Sequence, residues 1–164
     1  MDLFEAIHNR RSIRKYKSDI IPDETLEAIV EAGKYAASAR AEYPWRFVIV
    51  TEPARLVELA GIVGNNGRFL NDATAAIVVT SLDTKYYVED GSAATQNILL
   101  AAHALGVGTC WIAGDKKDYC EKLLRFVNAP EGYKLMSIIA CGVPDEKPVK
   151  NKPENSEVVV WDHF

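Results

Sequence analysis

Apolar residues recur along the chain with two different periods, and the switch between them divides it into helices and strands. Leu3, Phe4 and Ile7 share one face of a helix that Asp2 can cap, with Glu5 three residues on, and the stripe stops near Asn9. Pro22 and Asp23 open a second helix, in which Leu26, Ile29, Val30 and Gly33 follow the i, i+3, i+4, i+7 spacing of a buried face. The small residues Ala36-Ala37-Ser38-Ala39 then suggest close approach to another surface. Pro44 disfavours helix at Tyr43, and Phe47 to Thr51 reads as a buried strand.

From Pro53 to about Val63 the period is helical again, until Gly64-Asn65-Asn66-Gly67 breaks it. Ala75 to Ser81 is a second strand. The longest apolar helix runs from about Asp90 to Leu105, with Ala94, Ile98, Ala101, Ala102 and Leu105 on one stripe and Leu99 and Leu100 widening it. Gly106 and Gly108 end it, Thr109 to Ile112 forms a short strand, Asp115 starts another helix, and Leu135 to Cys141 is a further strand. Beyond Pro144 the chain is rich in proline and lysine as far as Pro153, yet Val158-Val159-Val160-Trp161 is strongly β-prone. An apolar strand at the end of an extended arm needs a partner sheet, so the arm is expected to add a strand to a neighbouring subunit. Alternating helices and strands predict an α/β or α+β sandwich around one sheet, in a single domain spanning residues 1–164.

Composition agrees with a folded domain: 164 residues, 48% hydrophobic and 26% charged, with no low-complexity run. A net charge of −4 argues against wholesale nucleic-acid binding, so any anion site is local. Met1 to Arg10 lacks the apolar core of a signal peptide, and no stretch reaches the ~18 apolar residues of a membrane helix, so a cytoplasmic protein is expected. Cys110, Cys120 and Cys141 form no C-x-x-C pair and point to reduced thiols, not to a disulfide or zinc framework.

Chemistry is sparse. Arg10, Ser12 and Arg14 occupy alternate positions, so an extended backbone would point two guanidinium groups and a hydroxyl the same way, a set suited to a phosphomonoester. The same basic residues could instead answer the dipole at the end of the first helix. No phosphate loop, dinucleotide fingerprint, nucleophile elbow or metal-binding helix is present, and Gly106-Val107-Gly108 has Trp111 where a third glycine would stand. Asp83, Glu89 and Asp90 read as carboxylates serving a helix start.

Four segments in order resemble the nitroreductase family of flavin mononucleotide (FMN) enzymes. Arg10-Arg11-Ser12-Ile13-Arg14-Lys15-Tyr16 is similar to the family's R-R-S-x-R-x-[FY] opening, and the stretch from Ala36 to Phe47 resembles A-P-S-x-x-N-x-Q-P-W-x-F. Ala94-Thr95-Gln96-Asn97 leading to Leu105-Gly106-Val107-Gly108-Thr109-Cys110-Trp111-Ile112 matches most closely, and Ile139 to Pro144 resembles the family's G-[YV]-P element.

The resemblance implies an α+β three-layer sandwich with a central mixed or antiparallel sheet, and a homodimer with FMN at the interface and residues 144–164 as an exchanged arm. It further implies that Arg10, Arg11 and Ser12 hold the phosphate and ribityl end, with Lys150 or Lys152 adding charge. Arg14 would lie against the pyrimidine edge of the flavin, Ser38 and Ala39 would come from the other subunit, and Trp111, Ala113 and Gly114 would line the ring near its reactive edge. The activity implied is hydride transfer from NADH or NADPH through FMN to a nitroaromatic or quinone, with no catalytic side chain and no metal. Ala37, Ala41 and Tyr43 replace the family's proline, asparagine and glutamine, and Asn151 stands in its basic pair, so Tyr43 and Ala41 are expected to influence substrate choice. A flavin-binding sensor without turnover is the alternative.

Overall fold

Asp2 opens the first helix as the sequence predicts: its carboxylate accepts a hydrogen bond from the Glu5 N–H at 2.9 Å, and α1 runs Leu3–Asn9. The structure, a computed structural model, describes residues 1–149 and 151–164. After α1 come β1 (Tyr16–Lys17), α2 (Asp23–Lys34), β2 (Trp45–Val50), α3 (Pro53–Val63) and β3 (Ala75–Leu82). They are followed by α4 (Tyr87–Ala104), β4 (Gly108–Ala113), α5 (Cys120–Phe126), β5 (Tyr133–Pro144) and α6 (Asn155–Val158). Tight 3-10 turns occupy Ala39–Ala41 and Gly64–Asn71.

Every ladder is antiparallel. β2 pairs with β3 and β3 with β5, while the other side of β5 is shared between β4, opposite residues 137–142, and β1, opposite Val143 and Pro144. The two edges of the sheet are therefore β2 on one side and β4 with β1 on the other. On one face α2 and α4 bury Leu26, Ile29, Ile98 and Ala102 over Ile77, Val79, Ile139 and Cys141. On the other, α3, the 64–71 turn and α5 bury Leu56, Leu59, Leu70 and Leu123 over Val78, Ile112, Ile138 and Ala140. This is the expected three-layer α+β sandwich, and coverage of both faces explains why β3 is buried at every position from Ala75 to Ser81 instead of alternating. Gly33 sets the spacing of the helical layer, because a Cβ there would lie 2.8 Å from the Ile98 side chain.

Several expectations shift. α4 begins at Tyr87, so Asp90 lies inside its first turn and not at its mouth. Asp115 opens no helix: Lys116 takes a left-handed φ of 60°, which a continuing helix cannot contain, and α5 waits until Cys120. Val158 to Trp161 forms no strand. Glu154 and Glu157 exchange reciprocal capping bonds that close the turn of α6, and Val158, Val160 and Trp161 are exposed. Their β preference expresses fit to a pleated neighbour, which this single chain does not offer them. The stripe on α1 also faces outward, since Leu3, Phe4 and Ile7 are exposed. Among the described residues no helix is long and apolar enough to cross a membrane.

Candidate functional site

Between α1 and β1 the backbone runs beside the outer edge of β4. The Ile13 N–H donates to the Thr109 carbonyl at 2.9 Å, and Ser12 bridges to Thr109 in parallel sense. Ile13 packs into the core, which turns its neighbours Ser12 and Arg14 the other way. Cys110 reports the result: burial pushes its thiol pKa up, while the Arg14 and Arg10 charges oppose that rise. Both charges thus act on one residue of β4, although the groove that Arg10 lines includes neither Ser12 nor Arg14.

The first two arginines have separate tasks. Arg11 turns back on α1, its Nη1 donating to the carbonyls of His8 at 2.6 Å and Arg10 at 2.9 Å, so this residue serves the helix end. Arg10 is half-buried, and its guanidinium makes no ion pair among the described residues. Burial, reinforced by the Arg11 charge, lowers its pKa, the mark of a cation that lacks a counter-charge. Arg10, Arg11, Gln96, Asn151 and Lys152, together with one carboxylate, Glu154, line a groove of about 710 Å³. Lys150, the other candidate of the arm, lies outside the described residues. Arg14 sits with its guanidinium 5.8 Å from the centre of the Phe69 ring, and its backbone N–H donates to Glu146 Oε1 at the root of the arm.

At the far end of β4, Trp111 is partly exposed, and the chain leaves the sheet through Ala113 and Gly114. A Cβ on Gly114 would lie 2.7 Å from the Met136 carbonyl carbon and oxygen, so only glycine permits this approach to β5. The Tyr119 hydroxyl donates to the Ala113 carbonyl, and the Cys120 thiol donates to the Gly114 carbonyl at 2.7 Å. Tyr87 holds Asp115 through its hydroxyl at 3.1 Å. Three side chains with no local sequence signature therefore hold the carbonyls of Ala113 and Gly114 and the carboxylate of Asp115.

Ser38, Ala39, Ala41 and Tyr43 lie elsewhere. Arg40, Ala41 and Tyr43 have φ values of 57°, 55° and 47°, left-handed conformations that cost non-glycine residues about 1–3 kcal/mol each. Asp90 is only 3% exposed and holds this segment from within α4. Its carboxylate accepts from the Ser38 hydroxyl and from the Ala39 N–H, each at 2.9 Å, and Ser38 Oγ accepts from the Tyr43 N–H at 2.9 Å. Asp90 thus stands in the acidic first turn of α4, as its helix-start reading expects, and its carboxylate also holds the preceding segment, which that reading did not foresee. Asp83 instead pairs with Lys134 at 3.2 Å. Tyr43 packs edge-on against Trp45 and lines a groove between α2 and β2, at the sheet edge opposite β4. Within one chain Tyr43 and the Arg10 groove are therefore on different sides of the sheet.

The sequence matches the nitroreductase family over residues 7–68 and 62–143. A Methanothermobacter thermautotrophicus protein, provisionally named an NADH dehydrogenase/NAD(P)H nitroreductase, is 39% identical over 154 residues, covering 90% of this chain and 80% of its own. The structure superimposes on an FMN-dependent nitroreductase from Clostridium difficile with a TM-score of 0.92 at 29% identity, covering 98% of this chain and 99% of that one. It also superimposes on the NADPH:FMN oxidoreductase of Vibrio harveyi complexed with NAD+, with a TM-score of 0.87 at 26% identity over 99% of this chain and 77% of that one. The family match spans most of the sequence, a relative shares 39% of its residues and the layer arrangement superimposes, so the chain belongs to the nitroreductase family.

Proposed function

We propose that this protein is an NAD(P)H-dependent FMN oxidoreductase that reduces an electron-poor acceptor such as a nitroaromatic or a quinone. The observation that carries the reading is the half-buried Arg10 guanidinium, without an ion pair among the described residues and facing a groove it shares with Lys152. Arg10, Arg11 and Lys152 outnumber Glu154 around the groove, and a phosphomonoester supplies the counter-charge this excess calls for, so the donor chemistry fits the phosphate of FMN. When bound there, FMN would supply the redox chemistry between a reduced nicotinamide and the acceptor.

The protein's part is position and charge. Arg10, Ser12 and Lys152, or Lys150, hold the phosphate and ribityl end, while Arg14 offers a fixed cation where negative charge gathers on reduction. Trp111, Ala113 and Gly114 line the ring near its reactive edge. Ser38 and Ala39 reach the ring from a second copy of the chain, with Tyr43 and Ala41 facing the acceptor. Two features support a homodimer whose site is shared. Tyr43 and the Arg10 groove lie on opposite sides of the sheet, and the exposed stripe of Leu3, Phe4 and Ile7 together with Val158, Val160 and Trp161 forms apolar surface that a second copy would cover. We read residues 1–164 as one domain with an arm from Pro144 onward, working in the cytoplasm.

The purified protein should be yellow and should bleach when mixed anaerobically with NADH or NADPH. Persistent colour would sink the reductase reading and favour a flavin-binding sensor. A colourless protein that takes up no added FMN would remove the flavin altogether.

A further inference from the structure

The turn between α2 and β2 is held in place by a residue about fifty positions further along the chain. Both carboxylate oxygens of Asp90 are engaged by this turn: Oδ2 accepts from the Ser38 hydroxyl and Oδ1 from the Ala39 N–H. Ser38 Oγ passes the restraint on, because it donates to Asp90 while accepting from the Tyr43 N–H. Between these two anchor points Arg40 and Ala41 take left-handed conformations, and Tyr43, at the second anchor, takes one too. A second tie comes from the same helix start, where the Arg40 guanidinium sits 5.9 Å from the centre of the Tyr86 ring.

We propose that Asp90 is a positioning residue for the acceptor side of the site, holding the Ser38–Tyr43 segment in the conformation that presents Ala41 and Tyr43. This rests on the flavin-reductase reading above, in which those two residues face the acceptor. A carboxylate suits the task because it accepts two hydrogen bonds side by side and needs no donor of its own. Left-handed residues persist only where their surroundings over-determine them, and Asp90 supplies that determination from a helix buried against the sheet. The device also separates two functions of the site. Shape on the acceptor side depends on Asp90, whereas the phosphate groove around Arg10 and Lys152 does not include it.

Asn at this position keeps the connectivity, since its oxygen can accept from Ala39 and its amide can donate to Ser38 Oγ. Ala keeps neither bond. The test compares Asp90→Ala and Asp90→Asn with the parent protein. Trypsin cleavage after Arg40, followed by mass spectrometry in the apoprotein and in the FMN-loaded protein, reads the segment directly. Cleavage at that bond should rise about tenfold or more in Asp90→Ala, as loss of a charge-assisted anchor raises the open population, with other early cuts unchanged. In Asp90→Asn it should return towards the parent rate. Under anaerobic turnover with benzoquinone, Asp90→Ala should raise the acceptor KM about tenfold while kcat falls much less, the pattern of lost positioning.

Unchanged cleavage at Arg40 in a folded Asp90→Ala protein overturns the proposal, as does a loosened segment with an unchanged acceptor KM. If Asp90→Ala does not fold, Ser38→Ala breaks the same relay by removing one hydroxyl, and the same two readouts decide. Failure of the parent protein to bind FMN overturns the flavin reading and the acceptor role with it, while digestion of the apoprotein still decides whether Asp90 holds the segment.

Discussion

Arg10 and Arg14 come from one alternating pattern, yet their surroundings give them different work. Arg10 faces a groove shared with Lys152 and lies partly buried without an ion pair among the described residues. Replacing it with alanine should weaken FMN binding by about 1.5–3 kcal/mol, the size of a charge-assisted hydrogen bond, as read by fluorescence titration. Arg14 lies beside the Phe69 ring and is exposed, so Arg14→Ala should lower the flavin reduction potential in a spectroelectrochemical titration more than it lowers FMN affinity. Cys141 makes a prediction about pH. Burial pushes its thiol from 9.0 to about 12, so the unfolded chain ionises it first. The stability gained by keeping it neutral is complete below pH 9 and is lost as pH rises from 9 to about 12, a window in which Tyr16 and Cys110 shift in the same direction. Thermal unfolding temperatures should fall across that window, and Cys141→Ala should make the fall shallower. The alternate arginines were legible in the sequence because their signal is local. Asp90 and Ser38 stand 52 residues apart, and nothing in either neighbourhood announces that they meet.

At the level of elements, the helices and strands with a sustained period were legible: α1 and α2 with their starts, α3 with its glycine stop, and β3. Elements set by their surroundings were not. The two residues of β1 are too few to show a period, and it exists because β5 extends to Pro144 and offers Val143 and Pro144 as partners. α5 starts late because the chain must first turn through Lys116 after pressing Gly114 against β5. That contact supplies a further expectation. Gly114→Ala places a methyl group against the Met136 backbone, which has no rotamer with which to move aside, and should destabilise the protein by about 1–3 kcal/mol in denaturant unfolding. Since β4 and β5 are joined at this point, the same substitution should also shift the visible spectrum of bound flavin.

For the whole molecule, the sandwich was foreseeable from the alternation of periods, whereas the placement of Tyr43 and Arg10 at opposite edges of the sheet required the strand order. The apolar residues of α1 and of the tail carry the corresponding expectation about assembly. The holoprotein should sediment as a dimer, and removal of residues 155–164 should weaken that dimer; a monomeric holoprotein would remove the shared-site reading. Strand order has another consequence, felt before the molecule is complete. β5 is the common partner of β1, β3 and β4, and it is the last strand of the sheet to be synthesised. β3, buried at every position from Ala75 to Ser81, can meet only β2 while the ribosome adds the next sixty or so residues, a wait of about 3–12 s at ~5–20 residues per second. During that interval an apolar strand with one bare edge is the most adhesive part of the nascent chain, and chaperone capture should concentrate there.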